Sequence, residues 1–131
     1  TRFDMKQAVH RQNPDDEFYT PEGCYITEVS NSTDDPALSI ARARLEAGKT
    51  TRWHRLVATA ERYVIVQGQG RVEIGDLPST DVAVGDIVLI PPMCRQRITN
   101  TGADDLVFLA ICTPRFSYDA YEDIENSPDS F

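Results

Sequence analysis

The sequence predicts an all-β domain, a small barrel or sandwich of two antiparallel sheets. Three observations carry that prediction. Short stretches rich in Val, Ile, Tyr, Phe and Thr recur along the chain, and Gly, Pro or Asn turn signals punctuate them. No segment with helical periodicity runs beyond about ten residues. The length, 131 residues, suits one domain with a sizeable core and is too short for two ordinary ones.

Residues 1–20 read as irregular, with turn signals at Asn13-Pro14-Asp15-Asp16 and from Tyr19 to Gly23. Residues 24–30 read as a strand, and Asn31 to Pro36 as a polar loop. Leu38–Leu45 alternates, with Ser39, Ala41, Ala43 and Leu45 on one face and Arg42 and Arg44 on the other. Gly48 ends it. Thr51–Leu56 is a short strand, and Arg62–Gln67 is strongly β-branched up to Gly68-Gln69-Gly70. Four more strands follow at Arg71–Ile74, Asp81–Val84, Ile87–Ile90 and Arg95–Asn100. Leu106–Cys112 is the last, closed by Pro114. Tyr118 to Glu125 is the one helical candidate. The chain divides into an N-terminal arm with a first strand (1–36), a barrel (37–117) and an acidic C-terminal tail (118–131).

The net charge is −8, which argues against a nucleic-acid surface, because neutralising phosphates needs basic side chains. The acidity sits in the ends: −5 in residues 1–36 and −5 in 118–131, against +2 across 37–117. A mildly basic centre suits a small anionic ligand, and a solvated surface on flexible ends explains the same pattern. The longest apolar runs, Ile87–Ile90 and Leu106–Cys112, fall far short of the roughly 18–20 residues that span a bilayer. The polar start has no apolar core of the signal-peptide kind. Three cysteines (Cys24, Cys94, Cys112), odd in number and without C-x-x-C spacing, read as free thiols in a reducing, cytoplasmic setting.

The chemistry gathers around His54 and Glu61. A four-residue loop, Val57 to Ala60, separates two strands, and a hairpin there pairs Leu56 with Glu61. Strand alternation then puts Arg52, His54 and Leu56 on the same face as Glu61, Tyr63, Ile65 and Gln67. An imidazole and a carboxylate among apolar neighbours must pair or hold an ion. His with a carboxylate is an ordinary ligand pair for Fe, Mn, Ni or Zn. A His–Glu hydrogen bond inside the barrel explains the pair equally. Arg52 at a cavity mouth clamps a carboxylate or phosphate, or else pairs with a nearby acid. Tyr63 offers a hydroxyl or serves as a core aromatic. Trp53, opposite in parity to His54, is expected against the N-terminal arm or a partner chain.

Gly48, His54, Glu61 and Gly68, followed by Gly85, Pro91 and Asn100, stand at the spacings of the two cupin motifs. Over residues 37–113 the chain therefore resembles the cupin superfamily. The resemblance implies a double-stranded β-helix, or jelly-roll barrel, and a homodimer. It also implies that Gln96 faces inward with Ile98 and Asn100. The departures are substantial: Leu56 replaces the second His of the first motif, and Met93 and Gln96 replace the Gly and His of the second. The implied metal site shrinks to His54, Glu61 and Gln96, holding a divalent metal (Fe, Mn, Ni or Zn) with waters, or none.

The leading functional expectation is a small-molecule-binding cupin with a reduced metal site, of sugar-phosphate isomerase type. There His54 or Glu61 moves a proton, and Arg52, Tyr63 and Gln96 hold a small anionic substrate. A metal-dependent dioxygenase and a non-catalytic ligand-binding or sensory cupin are the alternatives. A single strong nitrogen ligand speaks against the dioxygenase.

Overall fold

The computed structural model describes residues 4–126. Eleven strands form two antiparallel sheets packed face to face. In chain order they are β1 (Phe18–Tyr19), β2 (Tyr25–Ser30), β3 (Ser39–Leu45), β4 (His54–Leu56), β5 (Ala60–Gln67) and β6 (Gln69–Ile74). They continue with β7 (Thr80–Ala83), β8 (Ile87–Ile90), β9 (Gln96–Asn100), β10 (Leu106–Thr113) and β11 (Tyr121–Asp123). The larger sheet runs β1-β2-β3-β10-β5-β8 and the smaller β11-β4-β9-β6-β7. All-β architecture and most strand positions match the expectation.

The strands alternate as their residues dictate. On β5, Glu61, Tyr63 and Ile65 are buried while Arg62, Val64 and Val66 face outward; on β9, Gln96, Ile98 and Asn100 are buried. Leu45, Ile65, Ile98 and Leu106 are the most completely buried aliphatics and knit the two sheets together. Gly68 lets β5 cross into β6 of the other sheet. It sits at φ +85°, and a Cβ there would lie 2.8 Å from the Asp105 carbonyl oxygen, so only glycine fits.

Three expectations need correction. First, β4 and β5 form no hairpin. β4 pairs with β9 and β11 in one sheet, and β5 with β10 and β8 in the other, so the four-residue loop is a crossing between layers. Second, the helical candidate at the C-terminus is a 3₁₀ turn (Tyr118–Ala120) followed by β11. Alternating side chains and pairing along β4 override a weak helical pattern in an acidic segment. Third, Trp53 packs beneath Arg95 and Arg97, whose guanidinium carbons lie 4.9 and 4.3 Å from its ring centroid. Its backbone binds the C-terminal segment, through Ile124 N–H to the Trp53 carbonyl at 3.0 Å. The N-terminal arm instead supplies β1 and β2 to the larger sheet.

Asn100 locks the end of the barrel. Its Nδ2 donates to the carbonyls of Leu45 (2.9 Å) and Asp104 (2.8 Å), and its Oδ1 accepts from Gly102 N–H (2.9 Å). The side chain is fully buried, so its loss strands two carbonyls and an amide away from water. Asn100→Ala is expected to cost about 2–3 kcal/mol in urea unfolding while leaving the fold intact.

Candidate functional site

The space between the sheets is not filled everywhere. One row crosses four strands through register partners: Glu28 on β2, exposed at the cavity mouth, then Ala41 on β3, Ala110 on β10 and the buried Tyr63 on β5. At about 4.8 Å per strand, Glu28 and Tyr63 lie roughly 14 Å apart along the sheet. The two alanines between them leave a floor of methyl groups. Ala43 and Ser39, also small and inward-facing, continue that floor. The result is a cavity of about 150 Å³. The chain ends roof it: Thr20, Pro21 and Glu22 come from one side, and Phe116, Tyr118 and Tyr121 from the other.

Glu61 is the most deeply buried carboxyl lining this cavity. Its Oε2 accepts from the Cys112 thiol at 3.7 Å, and its Oε1 is buried without a hydrogen-bond partner. Burial pushes the carboxyl up from 4.5 to about 7, against the pull of nearby His54 and with Glu22 adding to the rise. The same burial pushes the Cys112 and Cys24 thiols up and keeps the Tyr63 phenol protonated. The Tyr63 hydroxyl donates to Gln96 Oε1 at 2.5 Å, and Gln96 Nε2 has no partner.

His54 stands behind the cavity wall. It is buried but does not line the cavity. Its Nδ1–H donates to the Arg52 carbonyl at 2.8 Å, which aims Nε2 at Glu22 Oε2, 3.4 Å away. Tyr121 stacks on the imidazole with centroids 5.3 Å apart. His54 thus acts on the cavity through Glu22 and Tyr121. Arg52 also lies outside the lining. Its Nε donates to Asp123 Oδ2 at 2.7 Å, so its charge is spent on β11 and does not face a ligand. No Lys or Arg lines the cavity, so the expected anion clamp has no counterpart there.

The expected metal ligands fit poorly. Gln96 Oε1 is engaged by Tyr63, and His54 Nε2 faces Glu22. Among the described residues no group of three or more His, Cys, Asp and Glu side chains gathers to hold a metal ion. A resident metal on His54, Glu61 and Gln96 therefore does not match this geometry.

Of the residues expected from sequence, the structure places Glu61 and Tyr63 on the cavity and sets His54, Gln96 and Arg52 behind or beside it. Sequence reasoning missed Glu22, Glu28, Tyr118 and Tyr121. Glu22 lies in a turn between Pro21 and Gly23, and nothing local shows that this turn closes over the barrel.

The chain belongs to the cupin family: the family model for a cupin domain matches residues 41–112. Its relatives include the uncharacterized protein MJ1618 of Methanocaldococcus jannaschii, 29% identical over 82% of this chain and 87% of that one. Two solved structures share the fold. One is Streptomyces Pac13, a nucleoside dehydratase, with TM-score 0.73 and 16% identity, covering 90% of this chain and 92% of that one. The other is KdgF from Halomonas sp., with TM-score 0.72 and 16% identity over 83% and 96% of the two chains. No helix among the described residues is long and apolar enough to cross a membrane.

The raised carboxyl has a consequence for stability. Glu61 holds its proton more tightly in the folded chain than in the unfolded one. Its contribution is therefore complete below about pH 4.5 and is lost as pH rises through about 7. Wild type is expected to lose about 3 kcal/mol relative to Glu61→Gln between pH 4.5 and 8, read from urea unfolding at each pH.

Proposed function

We propose that this cupin is an isomerase-type enzyme that moves a proton on a small molecule held in the barrel cavity, with Glu61 as the acid–base group. One observation carries the reading: a buried carboxyl lines the cavity, and burial pushes it up to about 7. A group so tuned both takes and returns a proton at physiological pH. The Cys112 thiol donates to Oε2, and the carboxyl keeps its place on the cavity wall. As carboxylate, Glu61 removes the proton from the hydroxyl-bearing carbon next to a substrate carbonyl, and as carboxylic acid it returns that proton to the former carbonyl carbon, while the hydroxyl proton passes to the former carbonyl oxygen. Tyr63, its own proton held on Gln96, presents an oxygen that accepts a hydrogen bond from a substrate hydroxyl. His54 is a positioning residue that orients Glu22 and Tyr121.

The related fold of Streptomyces Pac13, seen with uridine, supports a small polar molecule in a barrel of this kind. The dioxygenase alternative needs a metal, and the Gln96 amide oxygen and the His54 imidazole are already engaged by Tyr63 and Glu22. A phosphate-bearing substrate lacks a cation on the cavity wall.

The test is NMR of the protein with a panel of hydroxy-ketones and hydroxy-aldehydes in D₂O. The expected result is deuterium exchange at carbon that Glu61→Gln slows by at least about 100-fold. The rate is expected to rise with pH through about 7, because the base form of Glu61 starts the reaction. Exchange that survives in Glu61→Gln overturns the assignment. Tight binding across the panel without exchange points to a sensory or carrier cupin instead.

A further inference from the structure

The cavity has an electrostatic character that its family membership does not explain. Three carboxylates line it, Glu22, Glu28 and Glu61, and no basic side chain does. The arginines are engaged elsewhere: Arg44 with Glu17 and Asp105, Arg52 with Asp123, Arg97 with Glu73. Glu61 is nine-tenths buried and lines the cavity, with only the Cys112 thiol and the Gln96 side chain beside its carboxyl. A carboxylate buried with so few donors gains from a ligand that brings a cation. The rest of the wall is aromatic: Tyr63 and Phe108 below, Phe116, Tyr118 and Tyr121 above. Ring faces attract an organic cation and do nothing for an anion. Carboxylates and aromatic rings around one cavity, with Glu28 and Tyr118 at its exposed mouth, favour the same ligand charge.

We infer that the cavity selects a small organic cation, a ring- or chain-bearing amine, with the ammonium held between Glu28, Glu22 and the aromatic walls. This rests on the reading that the barrel cavity is the substrate site, and it adds the charge class of the substrate. Glu28 is the specificity-determining residue. It sits at the end of the floor row away from Tyr63 and is no part of the proton-transfer step.

The experiment uses the full chain and three probes of one shape: benzylamine, benzyl alcohol and benzoate, titrated calorimetrically at pH 7.5. Benzylamine, cationic at that pH, is expected to bind at least about tenfold more tightly than benzyl alcohol, with benzoate weakest. Glu28→Gln is expected to weaken benzylamine by about three- to tenfold and leave benzyl alcohol unchanged, which also shows that the variant is folded. Tyr118→Leu, a change at the exposed rim, is expected to weaken benzylamine more than benzyl alcohol. Asp16→Asn, an exposed acid far from the cavity lining, should change neither, which separates a site effect from general attraction to an acidic protein. Equal affinity for benzylamine and benzyl alcohol overturns the cation preference and leaves the cavity reading standing. Preference for benzoate, or a Glu28→Gln variant that keeps full discrimination, overturns it as well. Failure of all three probes to bind overturns the inference, and the deuterium-exchange experiment then decides separately whether Glu61 is an acid–base group.

Discussion

Two methyl groups in the middle of a sheet shape this molecule. Facing sheets pack about 10 Å apart, a gap that branched and aromatic side chains ordinarily fill. At Ala41 and Ala110, on neighbouring strands of the larger sheet, the side chains are too short to fill it. The gap lies on one row between Glu28 and Tyr63, with Glu61 two residues farther along the same strand as Tyr63. Where the layers interdigitate fully, around Ile65, Ile98 and Leu106, there is core; where the alanines lie, there is a site. The carboxyl of Glu61 is raised because it stands at this boundary, buried enough to lose water and with only the Cys112 thiol and the Gln96 side chain beside it.

The departures from the motif make sense around that gap. Leu56 turns a potential ligand position into core packing, buried on β4 opposite Tyr121. Gln96 stands where the motif has a histidine, and its amide oxygen is used up in holding Tyr63. The single remaining imidazole is covered by Tyr121 and turned toward Glu22. What survives is a pair of protonic groups on an aromatic and acidic wall. The amide oxygen of Gln96 and the imidazole of His54 are each aimed at a neighbouring side chain, Tyr63 and Glu22.

The described parts of the two acidic ends contribute strands to the two sheets, where the charge pattern alone also suited a solvated surface on flexible ends; residues 127–131 of the acidic tail lie outside the described residues. The N-terminal arm contributes β1 and β2 and brings Glu22 over the cavity, and the C-terminal segment pairs with β4 and brings Tyr118 and Tyr121. Part of the negative charge that seemed to belong to the surface therefore faces the interior or pairs with outward arginines. Arg52 shows the exchange most directly: alternation allowed it to reach the cavity, and Asp123, delivered by the C-terminal strand, took it instead.

The amino-acid sequence by itself determined the strands, the face on which each residue lies and the cupin landmarks. Those properties are local: β-branched content, a period of two, and glycines where the backbone must turn. They were enough to put Glu61 and Tyr63 inside. They were enough even though the expected hairpin between β4 and β5 does not exist, since both strands present the same parity to the space between the sheets. The tertiary structure alone decided which inward residues share a cavity. Alternation says that His54 and Gln96 point inward, but not that Tyr121 and Tyr63 stand between them and the open space. It says nothing of Glu22, set in a turn, or of Tyr118, in a segment whose weak helical pattern yields to pairing with β4. The physical reason is that facing is set residue by residue, while enclosure depends on pairings between chain segments about a hundred residues apart.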